Sequence, residues 1–213
     1  MGYQTNWAQQ ERHELSDLLE ELGPNHPTVC EGWSTADLAA HLVIRERRPD
    51  AALGILFSAF SGHTNSVMAS VKELPWSKLI DRVRQGPPRW NPASIPVIDE
   101  TANMLEFFVH HEDVRRTVEG WQPRVLDANF EALMWSRLQK VAPLMWRKAK
   151  VRVTLHNGSS QIIAKKTPQK PRVVVSGAVG ELVMKSYGRN VCVIELIGEP
   201  ESIETLNSTK LGL

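Results

Sequence analysis

Glu106 and His110 stand four residues apart in the stretch from Val97 to Glu119, and that pairing of types suits metal chemistry. Residues four apart on a helix share a face, so both side chains reach one point beside it. A carboxylate oxygen and an imidazole nitrogen are donors that a zinc-type ion accepts. With Glu106 at zero on a helical wheel, Asp99 falls at about 20°, Asn103 at about 60°, His110 at about 40° and Asp113 at about −20°. These groups form one polar stripe, and Glu100, Thr101, His111, Glu112 and Arg115 form a second face roughly opposite. A packed helix needs only one face in water. The other stripe must find partners inside, because a buried carboxylate beside an imidazole is costly unless paired or bound to a metal.

A third donor must come from another helix. His41 is the natural choice, since it shares an inward side with Leu38, Leu42 and Arg45. Plainer readings stand beside these: a solvated i,i+4 pair for Glu106 and His110, and a hydrogen-bonded core histidine for His41. His110 and His111 are adjacent and point about 100° apart, so they do not chelate one ion together. Asp113 either supports the ligands from behind or pairs with Arg115 or Arg116. Cys30 reads as a small core residue, and His13, His26, His63 and His156 as surface.

The elements that must position these groups follow from periodicity. Leu15, Leu18, Leu19 and Leu22 mark a helix over 7–22, stopped by Gly23-Pro24. Ser34-Thr35-Ala36-Asp37 has the form of a capping box, with a helix from Ala36 to Arg47. Apolar spacing continues over 51–60, and 64–84 suggests more helix, with Pro75 opening a new first turn. Gly86-Pro87-Pro88 forces an extended connection. The stretch 97–119 is the longest helix, closed by Gly120 and Pro123; Asp127 caps the next, which Pro143 kinks or breaks. Near residue 149 the period changes to two. Val151, Val153 and Leu155, then Asn157-Gly158, then 161–166 read as a hairpin. Residues 173–175 and 191–196 read as further strands, 181–187 and 201–206 as short helices. An all-helical part, 1–148, thus precedes a small α/β part, 149–213.

Composition bounds the function. Of 213 residues, 42% are hydrophobic and 23% charged, ordinary for a globular chain. A net charge of +1 gives no general field for nucleic acid or an acidic membrane. The basic cluster Arg45-Glu46-Arg47-Arg48 reads as a solvated face. Two distant cysteines make neither a disulfide framework nor a CxxC site, which fits a reducing cytoplasm. The first residues lack an apolar core of the secretory type, and no run is long enough to span a bilayer. Neither cysteine nor any serine has the local sequence of a catalytic nucleophile.

The segment Cys30-Glu31-Gly32-Trp33-Ser34-Thr35-Ala36-Asp37-Leu38-Ala39-Ala40-His41-Leu42 resembles the Gly-Trp-(Thr/Ser)-x-x-Asp-Leu-x-x-His-Leu segment of mycothiol-dependent maleylpyruvate isomerases. Glu106 to Val114 resembles that family's second segment, E-x-x-x-H-x-x-D, and Gly177, Leu182 and Gly188-Arg189 resemble its C-terminal pattern. Arg45–Asp50 and Phe107–Asp113 look closer to an uncharacterised actinobacterial-type subfamily of metal-binding proteins. The resemblance implies a mainly α chain, a DinB-like four-helix bundle followed by a small C-terminal α/β domain. It implies a divalent metal held by His41, Glu106 and His110, zinc first and nickel or iron next, with one coordination position open. It implies an isomerase or S-transferase working with the thiol mycothiol on an electrophilic substrate; the chain is expected to be cytoplasmic, a monomer or homodimer. Arg189 is then the residue for a substrate carboxylate, if the C-terminal part closes over a cleft. The same open site would also serve metal-water hydrolysis, or a non-catalytic binding or sensing protein.

Overall fold

The computed structural model describes residues 6–51 and 61–212. The chain divides into two compact units, Met1–Trp121 and Gln122–Leu213. Among the described residues, no helix is long and apolar enough to cross a membrane.

The first unit is built from α1 (Trp7–Leu22), α2 (Thr35–Arg47), α3 (Ser61–Lys72), α4 (Trp76–Gln85) and α5 (Pro96–Arg115). Asn6 caps α1 by accepting from Gln9 N, and Gly23 ends it. The expected capping box is present at α2: Ser34 accepts from Asp37 N while Asp37 accepts from Ser34 N. Pro75 stands just before α4, as its fixed φ allows. The reading of 51–60 lies mostly outside the described residues. Leu15 and Leu19 of α1 meet Leu38, Leu42 and Ile44 of α2, Leu79, Ile80 and Val83 of α4, and Phe107 and Val114 of α5 in one core. Helices α1 and α5 pack along each other, while α2 packs on α3 and α4.

α5 ends at Arg115, before the expected Glu119. Arg116 caps it, and its guanidinium turns inward to Glu112 and over the Trp121 ring, 4.7 Å away, so the chain leaves the helix axis there.

The second unit begins with α6 (Ala128–Met145), capped by Asp127, and continues through β1 (Arg152–His156), β2 (Gln161–Lys165), β3 (Arg172–Ser176), α7 (Val179–Ser186), β4 (Glu195–Ile197) and α8 (Pro200–Asn207). Pro143 does not break α6; it falls near the end, where only one ladder hydrogen bond is lost, and the helix runs two residues further. The strand order is β2-β1-β3-β4, with β1 and β2 an antiparallel hairpin, β3 parallel to β1 and β4 antiparallel to β3. The compact units separate at Trp121/Gln122, upstream of the change of period near 149, because α6 lies on β2 and α7. Its buried residues Phe130, Met134, Leu138 and Ala142 are the side it packs with.

The fourth strand is shorter than the expected 191–196. β3 ends at Ser176 and turns at Gly177, so β4 finds partners only opposite Val174–Ser176. Upstream, Val193 N donates instead to Glu181 Oε2 at 2.6 Å. Gly177 permits that approach: a Cβ there would sit 3.1 Å from Val193 O.

Candidate metal centre

The box at Ser34 fixes the first turn of α2, and three residues of one inward side follow: Leu38, His41 and Leu42, all buried. His41 is wedged between aromatic rings, its centroid 5.2 Å from that of Trp33 and 5.2 Å from that of His110. From α5 comes the rest. His110 Nε2 lies 3.3 Å from Glu106 Oε1, and His41 Nε2 lies 3.7 Å from the same oxygen, longer than a hydrogen bond. The three donor atoms stand within 4.8 Å of one another. His41, Glu106 and His110 are thus brought together. The histidines are buried and Glu106 is the half-open member.

Asp113 completes the arrangement. His110 Nδ1 donates to Asp113 Oδ2 at 3.0 Å, so Nε2 is the nitrogen that would face a metal. Cys30 Sγ donates to the same oxygen at 3.2 Å. Cys30 is therefore not a mere core residue: it is half-buried and touches the group behind a ligand. Arg115 and Arg116 both turn to Glu112, at 2.9 and 2.7 Å.

The electrostatics suit a cation. Burial pushes the Glu106 carboxyl up, but the nearby imidazoles of His110 and His41 and the charge of Arg45 hold it well below its ordinary range. Burial also works against charge on His110, yet bonds to Asp113, Cys30 and Glu106 outweigh it and raise the imidazole well above its usual value. Burial lowers His41. Without an ion, a proton on His110 balances the carboxylates. Two imidazole nitrogens and one carboxylate oxygen, with one imidazole oriented by a buried acid, form a donor set that a divalent metal fits.

A second polar network lies beside the centre, and it overturns two expectations. Arg12 Nη1 and Nη2 reach Glu46 Oε2 and Oε1, each at 2.7 Å, and Nη2 reaches Asp99 Oδ1 at 3.0 Å. Asn103 Nδ2 donates to Asp99 Oδ1 at 2.7 Å, and Arg45 Nη1 donates to Asn103 Oδ1. Arg45 Nε then stands 3.6 Å from Glu106 Oε1. The segment Arg45–Arg48 is thus not wholly a solvated face: Arg48 is exposed, but Glu46 is only 4% exposed. The second polar face of α5 is in water only in part: Glu112 is buried against Arg116, and His111 Nδ1 meets Glu11 Oε2 at 2.8 Å. His111 is accordingly engaged by α1, away from the three ligands. Glu11 and Arg12 sit on the apolar stripe of α1 with Ala8, Leu15 and Leu19. Charges on an apolar stripe were the sequence signal for this network.

Arg189 lies in the second unit, after α7, where its Nη1 donates to Tyr187 O at 2.8 Å.

Residues 8–142 match the family described as the mycothiol maleylpyruvate isomerase N-terminal domain. Two crystal structures of mycothiol-dependent maleylpyruvate isomerase, one of them a mutant, are similar to the chain. Each has a TM-score of 0.58 at 14% sequence identity, over 89% of this chain and 90% of that one. At that identity the likeness speaks for the fold. Comparison with curated proteins returns no match.

Proposed function

The chain belongs to the mycothiol maleylpyruvate isomerase N-terminal domain family, and on that premise we propose that it is a metal-dependent enzyme of thiol chemistry, an isomerase or S-transferase. The family and the fold support a thiol-dependent, isomerase-like function. The observation that carries the finer reading is the convergence of His41, Glu106 and His110, with Asp113 behind His110. These three residues hold the metal, zinc by the preference of imidazole and carboxylate donors, nickel or iron next. When bound, such an ion lowers the pKa of a thiol or water set against it, so that a nucleophile exists near neutral pH.

The chain's own groups do the rest. Asp113 fixes the tautomer and ring angle of His110. Arg45 keeps Glu106 ionised by its charge, and Arg12 and Asn103 hold Arg45 through the buried network. Trp33 covers one side of His41 and keeps water from it.

The nucleophile in this reading is an external thiol such as mycothiol. Its sulfur adds to a conjugated cis alkene, the carbon–carbon bond becomes single and rotates, and expulsion of the same thiolate restores the alkene as trans. The thiol is regenerated, and no residue of the chain is consumed. Arg189 is the candidate for a substrate carboxylate on the strength of its bidentate chemistry.

The test replaces Cys30 and Cys192 with serine and assays mycothiol addition to a panel of activated alkenes. Activity that survives this double substitution and is lost in Glu106→Gln supports the reading. Activity lost with Cys30 alone, in a folded and metal-loaded protein, overturns it.

A further inference from the structure

Helix α7 is buried along its whole length, Lys185 included, which is 9% exposed. An ammonium carries three donors. Among the described residues Lys185 Nζ meets one acceptor, Asn190 Oδ1 at 3.0 Å, and that acceptor is a neutral amide. Glu181, one turn earlier, has an oxygen on Val193 N rather than on the ammonium. A buried cation with so little compensation is costly, and an anion beside it removes the cost.

The space for an anion is there. A surface cleft, open to solvent and about 390 Å³ in volume, is lined by Lys185, Asn190, Cys192, Ile194, Leu196 and Asn207. The lining follows from the extended chain at 191–197. Successive side chains alternate, so Cys192, Ile194 and Leu196 turn toward the cleft while Val191, Val193, Glu195 and Ile197 are exposed. The volume is that of a small-molecule site.

We propose that this cleft binds a small organic monocarboxylate, its oxygens on the Lys185 ammonium and the Asn207 carboxamide and its carbon chain against Ile194 and Leu196. One cation and an apolar wall match a singly charged acid with a short alkyl body. Inorganic phosphate, more highly charged and without an apolar part, matches them less well. The site lies wholly within the second unit, so it stands or falls independently of the metal centre.

The experiment uses the full chain, isotopically labelled, and follows amide shifts as sodium butyrate or sodium phosphate is added at constant ionic strength. Butyrate shifts saturate and centre on Lys185, Asn190, Ile194 and Asn207. Lys185→Met weakens binding about tenfold or more, the worth of a charge-assisted hydrogen bond. Should that variant not fold, Asn207→Asp gives the same loss, because its carboxylate competes for the ammonium. Butyrate shifts that never saturate, that survive the folded variant, or that are weaker than those of phosphate overturn the proposal.

Discussion

Asp113 holds His110 by the nitrogen that faces away from Glu106, Nδ1 to Oδ2 at 3.0 Å, three residues along the same helix. The acid is fully buried and takes a second hydrogen bond, from Cys30. His110 is therefore oriented before any ion arrives.

Asp113→Asn keeps the shape and removes the charge. Metal affinity should fall by about 10- to 100-fold, as for other buried acids behind histidine ligands. Competition with a chromophoric chelator measures it, and an unchanged affinity would show that Asp113 is only a packing residue.

His41→Ala should lose most of the metal found in the purified protein, while His111→Ala should keep it, because His111 is engaged by Glu11. Elemental analysis decides. Equal retention in both variants would refute the ligand set.

The metal-free protein should lose stability as pH rises above neutrality. The His110 pKa is raised on folding, so its contribution is fully present below the unfolded value of 6.5 and is lost as pH climbs through the folded one. Glu106 is depressed, so its contribution is present above the unfolded value of 4.5 and is lost only well below it. Between these two ordinary values both contributions stand. Thermal unfolding after chelation, from about pH 6 to about pH 9, should show the decline, and His110→Gln should flatten it. Metal uptake runs the other way, strengthening with pH as the proton leaves His110.

Arg12→Met leaves Glu46 buried without its bidentate partner, at a cost of about 3–5 kcal/mol. Urea unfolding measures it. The double variant Arg12→Met, Glu46→Met should recover a large part of the loss, and a double variant as unstable as the single one would contradict this account.

A chain truncated after Trp121 should stay helical and bind metal. One ending at Lys148 keeps α6 but removes β2 and α7, exposing Phe130, Met134 and Leu138. It should aggregate more readily by light scattering. The reverse order would place the boundary near 149 after all.

Much of this was legible in the residues. The capping box, the Asn-Gly hairpin and the i,i+4 pair are local signals, and local signals survive into the structure at Ser34, at Asn157 and at Glu106. What escaped was set by distant partners. Glu46 looks solvated until α1 supplies Arg12, and Cys30 looks inert until Asp113 arrives from 83 residues away. The late start of β4 at Glu195 likewise depends on where β3 stops.

His110, His111, Glu112 and Asp113 are four consecutive buried polar residues, and each answers to a different neighbour: Glu106, Glu11, Arg116 and Cys30. Glu106 and Arg116 travel with the helix, but a slip of α5 by one residue would mismatch His111 with Glu11 and Asp113 with Cys30 together, like a key shifted by one notch. The helix is therefore indexed, and the spacing of the proposed ligands is set by folding. Metal entry should then leave the far-ultraviolet spectrum and most amide exchange rates as they were. The cost of ordering falls on folding, so the proposed ion would meet a finished seat.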